Sequence, residues 1–318
     1  MSRLVWFNGE LIKEEEAKVS IYDSAMMFGD TVFEMTRSFN KNHFRLREHL
    51  ERLYAGIKIF RIPLKMSITD MEQAVEQVTL ANESMLGPDD EHRLMINVTR
   101  GILSIYEGVV GTKSGPNVFI ADFPLRWTVA SMGPLFDKGI NAVIPSQRAL
   151  PASLLDPKIK NRSRLHYLMA NIEASLFKGQ DNWALLLDPD GFVAEGTGDN
   201  FFIVKKGKII TPEGRNILRG ISRQYVLDQF KGEEQNIEPY DVYTADEAFM
   251  TGTPFCMLPV TSLNGVPIGS GKPGPIYQYM LKEWSTDVGV DIKAQIQKYA
   301  GSKPLGVSPY QFGNKEQP

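Results

Sequence analysis

Short strand-forming runs and amphipathic helices follow one another along the chain without a regular strand–helix–strand rhythm. That irregularity argues against a doubly wound parallel sheet and for an α+β fold in two lobes. Residues 5–12 read as a hairpin, with Val5 and Phe7 before an Asn8-Gly9 turn and Leu11 after it. Residues 44–60 read as a helix because Leu46, Leu50, Leu53 and Ile57 recur at helical spacing ahead of Pro63. Residues 69–84 form a second helix, and 93–100 and 118–121 read as strands. Further on, 140–144, 183–187, 192–195, 200–204 and 208–210 are strands, with turns at Asp190-Gly191 and Lys206-Gly207. Residues 162–178 are helical, with Leu165, Leu168, Met169, Ile172 and Leu176 along one side. Helices are also expected over 221–230 and 275–288, and 249–259 reads as one apolar strand interrupted by Thr251-Gly252-Thr253-Pro254. Periodicity lapses over 122–133. The expected organisation is therefore a small N-terminal lobe over 1–121, a linker over 122–133, a large C-terminal lobe over 134–300 and a tail over 301–318.

Composition removes several function classes. The 318 residues carry 35 Lys plus Arg against 38 Asp plus Glu, so no basic surplus points to nucleic acid. A hydrophobic share of 42% with 23% charged residues suits a chain that buries a large core. No apolar run approaches the roughly 18–20 residues of a membrane helix, and the first residues turn acidic too early for a secretory signal. One cysteine, Cys256, excludes an intrachain disulfide and fits a reducing compartment, so a cytoplasmic protein is expected. The four histidines lack metal-ligand spacing, and no bound metal is expected. Gly269-Ser270-Gly271-Lys272-Pro273-Gly274 matches a dinucleotide fingerprint in letters only, since Pro267 and Pro273 break the strand–turn–helix context it needs.

Three separate stretches carry chemistry when taken together. Lys158 and Lys160 precede a helix, Glu195 stands in a hairpin with Asn200, and Gly220-Ile221-Ser222 opens a helix. Each alone has an ordinary explanation as a surface charge, a solvated loop or a helix cap. Together they supply what pyridoxal phosphate requires: an amine for its aldehyde, a carboxylate for its ring nitrogen and an anion site for its phosphate. Lys160 is the candidate amine and Glu195 the candidate carboxylate. The amides of Ile221 and Ser222 at a helix N-terminus suit a phosphate. Thr253 can add a hydroxyl and an amide, and Arg52 a full charge.

In this order the pieces resemble the fold-type IV pyridoxal-phosphate enzymes: branched-chain and D-amino acid aminotransferases, R-selective amine transaminases and aminodeoxychorismate lyases. The matching motifs are Phe28-Gly29-Asp30-Thr31-Val32-Phe33-Glu34, Arg47-Glu48-His49-Leu50-Glu51-Arg52-Leu53, Asn97-Val98-Thr99-Arg100-Gly101, Lys158-Ile159-Lys160-Asn161, Glu195 with Asn200, Leu218 to Arg223, and Thr251 to Pro254. The resemblance favours Lys160 over Lys158, because Glu173-Ala174 lies at the family's distance from Lys160. It also gives Arg52 the phosphate-binding role and makes the large lobe the cofactor-binding one.

The resemblance implies a D-amino acid aminotransferase-like, two-lobe fold and a reversible transamination between an amino donor and a keto-acid acceptor. It further implies a homodimer, an active site between the lobes and a loop from the neighbouring subunit, for which residues 106–111 are the candidate. A hydrophobic or branched-chain amino acid is the expected donor. Phe33 with Arg37 resembles the branched-chain pattern, although Met35 replaces a glycine, and Leu165 stands where many branched-chain members have a tyrosine. Arg37, Arg93 and Arg100 are candidates for carboxylate recognition. The alternatives are a D-amino acid or R-selective amine transaminase, an aminodeoxychorismate lyase, and a non-catalytic binding protein on the same fold.

Overall fold

The computed structural model describes residues 2–110 and 115–300. The chain divides into two compact units, the described parts of Met1–Leu125 with Ile159–Arg164, and of Arg126–Lys158 with Leu165–Pro318. The expected tail, 301–318, and Gly111 lie outside the described residues. Among the described residues, no helix is long and apolar enough to cross a membrane.

The first unit runs β1 (Leu4–Phe7), β2 (Glu10–Lys13), α1 (Ser24–Phe28), β3 (Thr31–Phe39), β4 (Asn42–His43), α2 (Leu46–Ile59), α3 (Ile68–Asn82), β5 (His92–Thr99), α4 (Glu107–Val110) and β6 (Asn117–Pro124). Its strands form one sheet in the order β2-β1-β6-β5-β3-β4. Each neighbouring pair is antiparallel. One face packs on α2 and α3, where Leu50, Leu53, Ile57, Met71, Val75 and Val78 meet Val32, Leu94, Ile96 and Val98. Burying each such side chain contributes about 1.5–3 kcal/mol. α3 begins at Ile68 because Ser67 and Asp70 form a capping box, each side chain satisfying the other's backbone amide.

β3 is one long element that the sequence pattern does not reveal. Eight of its nine residues are buried, so no alternation of polar and apolar residues marks it. Its N-terminal end is paired by the chain returning from the second unit. Phe33 N donates to Lys160 O at 2.9 Å and Arg162 N to Thr31 O at 3.0 Å, with an antiparallel bridge between Val32 and Asn161. A Cβ at Gly56 on α2 would stand 3.0 Å from Val32 Cγ1 and 3.3 Å from Ile159 Cγ2, so helix, strand and returning segment pack tightly.

The stretch expected as a linker is structured differently from that expectation. Asp122 to Pro124 continue β6, and the second unit opens with α5 (Arg126–Val129). The unit continues with α6 (Leu135–Lys138), β7 (Ile140–Val143), α7 (Leu165–Ser175), β8 (Asn182–Leu187), β9 (Val193–Gly196), β10 (Asn200–Lys205), β11 (Lys208–Pro212), α8 (Ile221–Phe230), β12 (Glu233–Gln235), α9 (Pro239–Tyr243), β13 (Glu247–Gly252), β14 (Cys256–Leu263), β15 (Val266–Pro267), α10 (Pro275–Val288) and α11 (Ile292–Ala300). β13 and β14 form an antiparallel hairpin. The expected single strand over 249–259 is thus two strands, because residues 253–255 turn the chain. Strands β10-β13-β14-β7-β8-β9 pair in sequence, and β9 returns to β10 through Glu195 and Asn200, closing the ring.

Two further expectations meet the tertiary structure. The apolar side of α7 faces outward: Leu165 is 69% and Leu176 75% exposed, with Met169 and Ile172 also exposed. The inward side is made of Ala170 and Ala174, whose small side chains pack with Ala184 and Leu186 of β8. The Gly269–Gly274 stretch is a loop ahead of α10. Glu247 occupies that helix's N-terminus, accepting from Ile276 N at 2.9 Å and Tyr277 N at 2.8 Å. The place where a pyrophosphate would sit therefore already holds a carboxylate.

Candidate functional site

The ring closure in the second unit builds the first part of the site. Glu195 is 3% exposed at the end of β9. Its Oε1 accepts from Tyr167 Oη at 2.7 Å, and its Oε2 from Asn200 Nδ2 at 3.1 Å and Leu218 N at 3.0 Å. Donors from α7, from β10 and from the loop before α8 fix the plane of this buried carboxylate. Asn200 holds the group together, for Nδ2 also donates to Leu218 O at 2.8 Å and the residue pairs across the sheet with Thr251. A Cβ at Gly220 would stand 2.1 Å from Asn200 Oδ1, so glycine is what lets the start of α8 approach β10.

α8 has no side-chain cap at its N-terminus. The amides of Ile221 and Ser222, which a helix leaves without internal partners, therefore point to whatever lies beyond its end. Two side chains hold the helix in place. Tyr225 stacks on Trp284 of α10 with ring centroids 4.1 Å apart, and Arg223 donates to Pro212 O and pairs with Glu234. Thr253 stands in the turn between β13 and β14. Beside it, Thr251 Oγ1 is buried without a hydrogen-bond partner among the described residues. An uncapped helix end, an orphaned hydroxyl and a rigid carboxylate in one unit fit a phosphate-bearing cofactor with a ring nitrogen, as the sequence led one to expect for pyridoxal phosphate.

The first unit carries the remaining candidates. Arg52 of α2 donates through Nε to Glu34 Oε1 at 2.6 Å and through Nη2 to Oε2 at 2.8 Å. His49 Nδ1 lies 2.8 Å from Glu34 Oε2. Burial holds His49 below its ordinary value despite the carboxylate beside it, so it serves as a neutral N–H donor. Burial tends to raise Glu34, but Arg52 and His49 outweigh it and hold this carboxyl well below the usual range. Arg52 is thus clamped to β3 by a forked ion pair. Glu48 instead pairs with Arg45 at 3.1 Å.

Phe33 lies on the face of β3 opposite α2 and α3, with the Lys160 Nζ 5.0 Å from its ring centroid. Arg37 and Arg93 sit opposite each other across β3 and β5, both buried, with the Arg37 guanidinium 3.8 Å from the Phe39 ring centroid. Arg100 lies elsewhere. It donates to Asp30 Oδ2 at 2.7 Å and to the carbonyls of Phe60 and Arg61, and so closes the end of α2. The second unit thus links Glu195 through Asn200 to the start of α8 with Ile221 and Ser222, and carries Thr253 in the turn after β13. The first unit brings Lys160 beside Phe33, sets Arg37 against Arg93, and keeps Arg52 and Arg100 in separate ion pairs.

Sequence reasoning passed over Tyr167, Asn200 and Thr251 as site residues. Asn200 and Thr251 lay inside quoted motifs, but Tyr167 follows Lys160 on a helix whose apolar side gives no hint of a carboxylate partner.

Residues 31–263 match the family model for class IV amino-transferases. A protein of Methanocaldococcus jannaschii described as a putative branched-chain-amino-acid aminotransferase is 37% identical over 292 residues, covering 89% of this chain and 96% of that protein. The branched-chain-amino-acid aminotransferase of Escherichia coli K12 is 32% identical over 291 residues, covering 86% of this chain and 88% of that one. Among solved structures, the branched-chain amino acid aminotransferase from Thermobaculum terrenum in its PLP-form superposes with a TM-score of 0.77. It is 28% identical, with 96% of this chain and 99% of that chain covered.

Proposed function

Because this chain belongs to the class IV aminotransferases and is a pyridoxal-phosphate-dependent transaminase, we propose that it moves the amino group of a hydrophobic or branched-chain amino acid to a 2-keto acid. The observation that carries the reading is the buried Glu195 carboxylate, fixed by Tyr167, Asn200 and Leu218 in the same unit as an uncapped helix end. The relatives named for branched-chain substrates support the donor class.

The residue roles follow from their chemistry. Lys160 Nζ is the amine that holds the cofactor aldehyde and, once displaced, carries the proton taken from the substrate Cα. Glu195 keeps the ring nitrogen protonated. The amides of Ile221 and Ser222, the Thr253 hydroxyl and Arg52 hold the phosphate. Bound there, the cofactor supplies an electron sink for the Cα–H bond. Phe33 forms a wall beside Lys160. Arg37 and Arg93 serve the substrate pocket, and Arg100 contributes through Asp30 and the end of α2.

A panel of L-amino acids, D-amino acids and R-phenylethylamine, each with 2-oxoglutarate, tests the substrate class. Leucine, isoleucine and valine are the expected donors. Absence of turnover with every L-amino acid would end the branched-chain reading. Turnover confined to D-amino acids or R-phenylethylamine would move the assignment to those transaminases.

A homodimer belongs to the same proposal and is supported by the exposed apolar residues Leu165, Met169 and Ile172 on α7 and Leu176 just after it, a surface of the kind that marks an interface. The protein is expected to sediment as a dimer and Met169→Asp as a monomer; a wild type that sediments as a monomer would remove this part of the reading. The single, buried free thiol of Cys256 suits a cytoplasmic setting.

A further inference from the structure

The returning segment that carries Lys160 also carries Arg162 and Arg164, and no role above uses those two side chains. Antiparallel pairing with β3 places residues 160 and 162 on the same face as Phe33, with Asn161 on the other. Three cations converge on one ring. From the Phe33 centroid, Lys160 Nζ is 5.0 Å, the Arg162 Cζ 3.7 Å and the Arg164 Cζ 5.6 Å away.

Arg162 is oriented without being neutralised. Its Nε and Nη2 donate to Asn97 Oδ1 at 3.2 and 2.8 Å, and Asn97 is the cross-strand partner of Phe33. An amide oxygen carries no net charge, and Nη1 has no partner among the described residues. The residue as a whole is exposed, although its guanidinium has lost part of its water. That loss, and after it the charge of Arg164, pushes the guanidinium down to about 10.

We propose that Arg162, with Arg164 beside it, is the carboxylate clamp for the amino- and keto-acid substrates of this transaminase. Each such substrate carries its carboxylate directly on the carbon that reacts at Lys160, so its anion must come to rest close to that amine. A guanidinium anchored along one edge offers its outer edge as a fork of the right geometry for a carboxylate. Arg37 lies four residues beyond Phe33, roughly 13 Å along the strand, and Arg100 is already engaged by Asp30 and two carbonyls.

The inference rests on the proposed role of Lys160, and its test has a readout that does not need turnover. The cofactor-loaded wild type, Arg162→Gln and Arg162→Lys are titrated with 4-methylpentanoate, an unreactive carboxylate, and with its neutral amide. Arg162→Gln is expected to weaken carboxylate binding about 10- to 100-fold and to leave amide binding and cofactor affinity within about 2-fold. Arg162→Lys, which keeps the charge but loses the fork, is expected to recover part of the loss. With leucine as donor, the loss in Arg162→Gln falls on KM more than on kcat.

Equal loss for carboxylate and amide would mean a structural role and overturn the proposal. Loss of cofactor affinity would place the anion site at the cofactor phosphate and also overturn it. A wild type that binds no carboxylate, or an Arg162→Gln variant that binds it unchanged, has the same consequence. A wild type that shows the binding difference but transaminates no amino acid would overturn the proposed function and leave the clamp standing.

Discussion

Lys160→Ala is expected to lower transaminase turnover by roughly a thousandfold or more, the scale of losing a positioned proton carrier together with a covalent anchor. The fold should survive. The part of Lys160 that holds β3 is its backbone carbonyl, which accepts from Phe33 N at 2.9 Å, and alanine keeps it. The side chain is half-buried and leans over the Phe33 ring. Steady-state turnover of a donor and keto-acid pair, with far-UV circular dichroism and a thermal melt of the same preparation, checks both halves. Near-normal turnover would refute the assignment of Lys160, and a collapsed melt would show a structural duty that the geometry does not reveal.

Glu34→Gln carries the largest expected effect on stability, a loss of about 3–5 kcal/mol at pH 7, because it removes a buried carboxylate that both Arg52 and His49 face. His49 is neutral and tolerates an amide partner, so the cost falls on Arg52. The pH dependence has a definite sign. The folded-state value of Glu34 lies below its unfolded one, near 4.3, so its contribution is present above that range and is lost as pH falls through the folded value. Urea denaturation of wild type and variant should therefore show a gap that is full at pH 7 and shrinks below about pH 4. A gap under about 1 kcal/mol at pH 7 would mean that the pair behaves as a solvated surface bridge. Since Arg52 is also proposed to hold phosphate, the variant should retain cofactor less well than wild type.

The site was partly legible for reasons that can be traced residue by residue. Glu195, Ile221 and Ser222 stood in short motifs whose chemistry is local: a carboxylate in a hairpin, and amides at a helix start that follows a glycine. Arg52 sat on a helix with clear apolar spacing, but its partner did not follow from that helix. Helical spacing alone offers Arg52 an i,i+4 pairing with Glu48, whereas the fold gives Arg52 to Glu34 on β3 and Glu48 to Arg45. Tyr167 had no sequence signal, because a hydroxyl that meets a carboxylate 28 residues away does so only once α7 and β9 are both in place.

What the sequence determined by itself is what neighbouring residues decide among themselves. The Asn8-Gly9 hairpin, α2 with its Leu50 and Leu53 face, α8 and α10 all follow from spacing, turn chemistry and breakers within a few residues. The tertiary structure alone decided which surfaces those elements present. β3 is buried on both faces and so lacks the alternation that marks a strand. The large apolar side chains of α7 face outward because Ala170 and Ala174 allow the closer approach to β8. Glu247, 29 residues before Ile276, fills the N-terminal end of α10. In each case the deciding partner lies far along the chain, and the energy that selects it is burial and hydrogen bonding between elements, which no local pattern records.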